Sequence, residues 1–222
     1  MMTRAVVSRL EFYLSCLRDL KEQGRTTVTS DDLALYAGVS PSCVRQDFMR
    51  LGTEGRPRSG YDLVELQGRI RAALDLHHLK PIVLVGCGNL GRALAASDIW
   101  RSGGFDLVGL FDRDRALIGQ QIGALEIRHT SELVSFIRTN NVDAACLTVP
   151  GPAAQQVVGQ LVTAGVRAIW NFTPHPLQAP SHVIIENQRL ESGLMTLSYL
   201  MTSPSRQEPD MRPAITMEEH KR

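Results

Sequence analysis

The stretch PIVLVGCGNLG, residues 81–91, decides the fold of this chain. An apolar run rich in valine enters three glycines spaced GxGxxG, at Gly86, Gly88 and Gly91, and RALAA then continues as a helix. A second apolar run, LVGLFDRD, follows at 107–114 and ends in Asp112, 21 residues beyond Gly91. Strand, glycine turn, helix, strand and terminal acid, in that order, describe a dinucleotide-binding βαβ unit. In such a unit Gly86 makes the tight turn, Gly88 lets the backbone approach a pyrophosphate, and Gly91 allows close helix–strand packing. The N–H groups around Cys87, Asn89 and Leu90 face the phosphates at the start of the helix. Asp112 is placed to bond an adenosine ribose and to repel a 2′-phosphate, which favours NAD(H) as cofactor. Arg113, with Arg115, can reach the adenine rim or stand simply solvated. Without a ligand, the same pattern would be no more than a tight strand-to-helix turn.

Outward from this unit the α/β pattern continues, with strands expected at 82–86, 106–111, 124–128, 143–148, 166–170 and 182–185. Near-continuous apolar strands such as AACLTV belong to a parallel sheet covered on both faces. Thr148, Val149 and Pro150 end one strand, and Asn171, Phe172, Thr173 and Pro174 end the next. Carboxyl ends of parallel strands surround a cofactor crevice, so both segments are candidates to line it, Asn171 on the nicotinamide side. The alternative is a pair of proline-terminated loops. No catalytic set accompanies the pocket: His129 and His175 have no acidic neighbour in sequence, and no substrate domain follows. No catalytic residue and no small-molecule substrate are therefore expected.

Upstream, residues 4–22 place Val7, Leu10, Tyr13, Leu14, Leu17 and Leu20 on one helical stripe. Thr29 or Ser30 can cap a second helix carrying Leu33 and Leu35, and Gly38 marks a tight turn. Ser40-Pro41 then reads as N-cap and first helical residue of a third helix with Val44, Phe48 and Leu51 inward. This is a helix-turn-helix. The glycine- and arginine-rich stretch GTEGRPRSGYDLVEL should form a wing, and a helix over Val64–Leu76 leads to a boundary near His77–Lys80. Ser40, Ser42, Arg45, Gln46 and Arg50 of the third helix, with Arg56, Arg58 and Tyr61 of the wing, are the candidate DNA contacts. A helical dimerisation or protein-binding domain with ordinary surface arginines is the competing reading.

Charge and composition bound these readings. Residues 1–80 hold 12 basic against 10 acidic side chains, so a DNA-binding face has to be a local patch. The 43% apolar content over 222 residues supports two modest cores. Cys16, Cys43, Cys87 and Cys146 show no metal-ligand spacing, so no metal is expected, and buried thiols suit a reducing cytoplasm. No segment reads as a signal peptide, and no apolar run is long enough to span a bilayer, so no membrane partner is expected. The expected organisation is a winged-helix domain over 1–80 and a Rossmann domain over 81–187. An apolar dimerisation helix at 188–201 and a disordered tail at 202–222 complete it.

With both sites in view, the chain resembles the bacterial redox-sensing transcriptional repressors of the Rex family. The resemblance runs from about Ser8 to Leu200 and is carried by VLVGCGNLGRAL, GLFDRD, LTVP with Ala153–Gln155, NFTP and GLMTLSYL. Gly38-Val39, Val44-Arg45, Asp47 and Gly60-Tyr61 extend it to the amino-terminal part. It implies a homodimer that reads an inverted repeat in double-stranded operator DNA, with NADH and NAD⁺ competing for the pocket. It further implies release when the NADH/NAD⁺ ratio rises, and a final helix exchanged between subunits. The departures are Gln46 where the family has a lysine, Ser15 and Arg189 where it pairs an arginine with an aspartate, and Ser97 near the place of a tyrosine. Read from the residues without the resemblance, a small NAD-dependent oxidoreductase with an accessory helical domain stands as the alternative.

Overall fold

The computed structural model describes residues 2–56 and 59–202. Arg58 of the expected DNA-facing set and residues 203–222 of the expected tail lie outside the described residues.

Helix α1 (Arg4–Glu22) starts at Thr3, whose hydroxyl accepts from the Val6 N–H, and buries Val6, Leu10, Tyr13, Cys16 and Leu17. Val7 is 41% exposed, a correction to the expected stripe. Spacing of four, three and four residues from Val6 to Leu17 keeps the inward face continuous, and Val7 lies off it by one residue, about 100° of rotation. A two-residue strand β1 (Thr27–Val28) leads to α2 (Ser30–Ala37). Thr29 closes a capping box with Asp32: its hydroxyl accepts the Asp32 N–H at 3.1 Å, and the Asp32 carboxylate accepts the Thr29 N–H at 2.9 Å. Such a cap contributes about 1 kcal/mol. Of the two leucines of α2, Leu33 is buried and Leu35 exposed. Gly38 ends α2 with φ +64°, the left-handed turn that most readily takes glycine.

Helix α3 (Pro41–Arg50) is capped by Ser40 and buries Val44 and Phe48. Strand β2 (Tyr61–Asp62) pairs antiparallel with β1, and Arg56 bridges Gly60 to make a minimal wing. A Cβ on Gly60, at φ +72°, would collide with the Val28 carbonyl, so the wing closes only around glycine. Helix α4 (Leu63–Ala73) ends three residues before the expected Leu76. The left-handed Asp75 (φ +52°) turns the chain there, and the Lys80 ammonium holds its carboxylate at 2.7 Å.

The second half alternates strand and helix. It comprises β3 (Lys80–Val85), α5 (Asn89–Ala95), α6 (Ile99–Ser102), β4 (Phe105–Asp112), β5 (Gln121–Ile122), β6 (Leu125–His129) and α7 (Leu133–Thr139). Then come β7 (Ala144–Leu147), α8 (Gly151–Ala164), β8 (Ala168–Asn171), β9 (Ile184–Asn187) and α9 (Leu190–Thr202). The sheet order is β5-β6-β4-β3-β7-β8-β9, parallel except for the short edge strand β5. Without that edge it is the doubly wound order, reversing between β3 and β7. In β3, Val83 and Val85 enter one core layer while Ile82 and Leu84 enter the other. The two-residue side-chain period of a strand thus explains an unbroken apolar run with helices on both faces.

Three apolar clusters result. One is drawn wholly from residues between Val6 and Ile70, and the other two lie on either side of the parallel sheet. Among the described residues helix α9 has no buried side chain, and it leaves Leu194, Met195, Leu197, Tyr199, Leu200 and Met201 exposed.

Candidate functional site

The glycine turn sits where the strand order reverses. It is pinned from both neighbouring strands: the Gly86 N–H donates to the Phe111 carbonyl at 2.8 Å, and the Thr148 hydroxyl donates to the Gly86 carbonyl at 2.6 Å. Gly86 takes φ +102°, and a Cβ on Gly91 would collide with the Gly86 carbonyl, so α5 lies directly on the turn. Gly88 differs: nothing lies within 4 Å of where its Cβ would stand. Packing therefore demands glycine at Gly86 and Gly91, while Gly88 opens toward empty space, as a close approach to a phosphate requires.

That space is a cleft of about 620 Å³, within the ordinary range for a cofactor site. Gly86, Gly88, Asp112, Arg113, Thr148, Val149 and Pro150 of the expected set line it. Asp112 accepts the Cys87 N–H at 2.6 Å on one carboxylate oxygen and the Asp114 N–H at 2.9 Å on the other. The carboxylate is thus held at the lip of the cleft by backbone donors and keeps lone pairs for a hydroxyl-bearing ligand. Burial, with the Asp112 charge beside it, pushes the Cys87 thiol up to about 12, so it stays protonated near neutral pH. Arg92 spans the back of the turn, donating to the Cys87 carbonyl at 3.1 Å and to Gln120 at 2.6 Å.

Cys87, Asn89, Leu90 and Gly91 belong to the turn and helix start behind this wall. Asn171 differs from its expected role. It is buried, its side-chain oxygen accepts the Thr173 N–H at 2.9 Å, and its amide donates to Asn187 at 2.8 Å. That amide ties β8 to β9, which leaves little of it for a nicotinamide. Phe172 packs on Trp170 with ring centroids 4.5 Å apart, and Thr173 is buried beside it. Exposed Pro174 begins the loop in which the His175 ring lies against Gly151 at the start of α8. Ser97, two residues past the end of α5, donates to the Leu94 carbonyl of that helix.

Thr130 and one face of α8, with Ala153, Gln156, Val157 and Gln160, also line the cleft and escaped the sequence reading. Their spacing of three, one and three is a helical stripe, and two glutamines on an otherwise apolar stripe were the available signal. Gln155 instead clamps the following loop: its amide donates to the Gln178 carbonyl and its oxygen accepts the Gln178 N–H, both at 2.9 Å.

In the amino-terminal region, Ser40, Ser42, Arg45, Gln46, Arg50 and Arg56 are all exposed. The Ser40 hydroxyl caps α3, and Arg45 rests on the Ser30 hydroxyl at 3.0 Å, free to leave it for a stronger acceptor. Arg50 donates to Asp47 at 3.3 Å. Tyr61 corrects the expected DNA-facing set: its ring is buried edge-on against Phe48 at 4.8 Å and beneath Gly55. An aromatic following a wing glycine serves the core here, because β2 turns it inward. Met49, 74% exposed beside Gln46, joins the outward face instead. Asp47 is fully buried and takes a bidentate Arg9 at 2.7 and 2.9 Å. Burial, with Asp47 next to it, pushes the Tyr13 hydroxyl up.

A winged helix-turn-helix joined to a doubly wound nucleotide-binding fold defines a class of ligand-responsive DNA-binding regulators. Two family models match, one described as CoA binding domain over residues 77–175 and one as putative DNA-binding protein N-terminus over residues 2–48. The redox-sensing transcriptional repressor Rex of Clostridioides difficile is 39% identical over 197 residues, 89% of this chain and 94% of that protein. The protein of the same description from Streptomyces avermitilis is 40% identical over 195 residues, 88% of this chain and 77% of the other. Among solved structures, RSP in complex with β-NADH matches with a TM-score of 0.83 and 34% identity, over 90% of this chain and 94% of that one. RSP with β-NAD⁺ and operator DNA matches with the same score and identity over 90% and 93%. The chain belongs to the Rex family of redox-sensing transcriptional repressors.

Proposed function

We propose that this chain is an NAD(H)-responsive transcriptional repressor that binds operator DNA as a homodimer and is released as the NADH/NAD⁺ ratio rises. One observation carries the reading. Nine-tenths of the chain superposes at one TM-score on a relative holding NADH and on the same relative holding NAD⁺ and operator DNA. Family membership also sets aside the oxidoreductase alternative, since these proteins are regulators.

The residues present fit the cofactor. The open side of Gly88 suits a pyrophosphate, Asp112 suits the ribose hydroxyls of NAD(H), and Arg113, Thr148, Val149 and Pro150 form the walls. Cys87, Asn89, Leu90 and Gly91 shape the turn, and Asn171 with Phe172, Thr173 and Pro174 supports the far wall. On the DNA side, Arg45 and Gln46 have the donor pattern for guanine and adenine edges, while Ser40, Ser42, Arg50, Arg56 and Arg58 serve the phosphates.

The exposed apolar side chains of α9 support a dimer interface formed by that helix and exchanged between subunits. A two-fold dimer suits an operator that is an inverted repeat. The winged-helix domain is placed over 1–80 and the Rossmann domain over 81–187, with α9 (Leu190–Thr202) as the dimerisation helix. Among the described residues no helix is long and apolar enough to cross a membrane, and the cysteines are free. DNA as partner, with these thiols, supports a cytoplasmic location.

Nucleotides switch such a dimer only by binding its two arrangements with different affinity. The decisive experiment titrates NADH and NAD⁺ separately into the full chain bound to a duplex enriched from a random library. NADH should weaken the complex and NAD⁺ should not; equal effects of the two would remove the sensor reading.

A further inference from the structure

We propose that Asp47 is the positioning residue of the recognition helix: its carboxylate sets the roll at which α3 presents Arg45, Gln46 and Met49. This rests on the DNA-binding reading above and adds to it the group that aims the helix.

Asp47 lies in the middle of the helix that carries the candidate base contacts, yet it is fully buried. An acidic side chain here has two ways to harm a DNA reader. Exposed, it would repel phosphate; buried without partners, it would be prohibitively costly. The fold avoids both. Arg9 donates from Nε to Oδ2 at 2.7 Å and from Nη2 to Oδ1 at 2.9 Å. The Tyr13 hydroxyl donates to Oδ2 at 3.2 Å, and Arg50 Nη1 to Oδ1 at 3.3 Å. Each oxygen therefore accepts two donors, and two guanidinium groups offset the charge.

The origin of the donors matters more than their number. Arg9 and Tyr13 stand one turn apart on α1, so one helix grips a single carboxylate of another at two heights. A planar fork holds a carboxylate in one orientation. Apolar neighbours do not: Phe48 packs edge-on against Tyr13 at 5.4 Å and Tyr61 at 4.8 Å, contacts that survive a modest roll. Reading a base edge tolerates only about 10–20° of misalignment. Stability alone does not call for this arrangement, since well-packed apolar residues often replace a buried ion pair without loss. Gln46, immediately before Asp47, and Met49, two residues after it, are exposed, so any roll that frees the carboxylate moves the reading face directly.

The test separates aim from stability. The wild-type full chain first enriches a duplex from a random library. Affinities for that duplex and for a shuffled duplex of equal length are then measured for wild type, Asp47→Asn, Arg9→Lys and Tyr13→Phe. NADH binding and circular dichroism report folding. A variant that is merely less folded loses affinity for both duplexes alike and keeps their ratio. Asp47→Asn should lower the enriched-to-shuffled ratio about tenfold, the scale of one base contact, with NADH binding retained. Arg9→Lys, which keeps the charge but not the fork, should lose part of the ratio and serves if Asp47→Asn fails to fold. Tyr13→Phe should lose least. An unchanged ratio in folded Asp47→Asn or Arg9→Lys overturns the proposal, as does an equal fall on both duplexes. If wild type enriches no sequence, the DNA reading itself fails, and the proposal with it.

Discussion

The recognition helix and the glycine turn each present an aspartate, and the two are held in opposite ways. Asp47 is sealed from water and saturated by side chains from α1 and from its own helix. Asp112 stands at the rim of a cleft, steadied by two backbone N–H groups. The difference follows from what each region must do. A helix docked on a small three-helix core has only side chains to fix its roll. A turn at the edge of a parallel sheet is fixed by the backbone ladder and has its carboxylate left over for a ligand. One acid is structural machinery behind the reading face; the other is the contact surface itself.

The sharpest way to break this contrast is to remove each acid. Asp47→Ala leaves the Arg9 guanidinium without its main partner and should cost about 3–5 kcal/mol of amino-terminal stability, read by chemical denaturation. NADH binding should persist, because the cleft lies in a separate core. Cooperative loss of both would show that the regions are not independent.

Next in size come two glycines with opposite expectations. Gly91→Ala forces a Cβ into the Gly86 carbonyl and should destabilise the nucleotide region by about 1–3 kcal/mol. Gly88→Ala meets nothing and should change thermal stability by less than about 0.5 kcal/mol, yet it should weaken NADH binding in a fluorescence titration. A Gly88→Ala protein that binds NADH normally would falsify the placement of the pyrophosphate.

Asp112→Asn should weaken NADH binding by about 1.5 kcal/mol and cost about 1 kcal/mol of stability, since the amide keeps an oxygen for only one of the two backbone donors. NADPH should gain relative to NADH in the same titration. An equal loss for both would argue that Asp112 does not face the ribose.

The smallest effect belongs to the cap of α2. Partial burial works against the Asp32 charge, but the Thr29 N–H and hydroxyl and the Arg25 guanidinium outweigh it and hold the carboxyl below its usual range. A carboxyl that titrates lower in the folded state stabilises fully above the unfolded value near 4, and the gain fades as pH falls through the folded one. Asp32→Ala should therefore cost about 1 kcal/mol at neutral pH, with the gap to wild type closing in acid melts.

Much of this was legible because local chemistry decided it. Proline after Ser40 and glycine at 38 bound α3 and α2, GxGxxG announced the turn, and apolar runs of the right length announced the sheet. The site was legible where a residue type has one conformational use, as with Gly86 and Gly91. It was less so where a side chain had a choice. Tyr61 looked like a contact residue because it lies in the wing, and Asn171 because it ends a strand, yet one fills the core and the other stitches two strands. Gln156 and Gln160 went unread because an isolated helix does not say which neighbour its stripe will face.

The sequence by itself determined the order of the main elements and the glycines the turn cannot do without, since these depend on backbone sterics and short-range periodicity. Tertiary structure alone decided that Asp47 is buried on Arg9, 38 positions away, and that Asp112 stays open to the cleft. An aspartate is the same residue in both strings of letters. Only the donors that folding brings to it settle whether its charge is consumed inside the protein or offered outside.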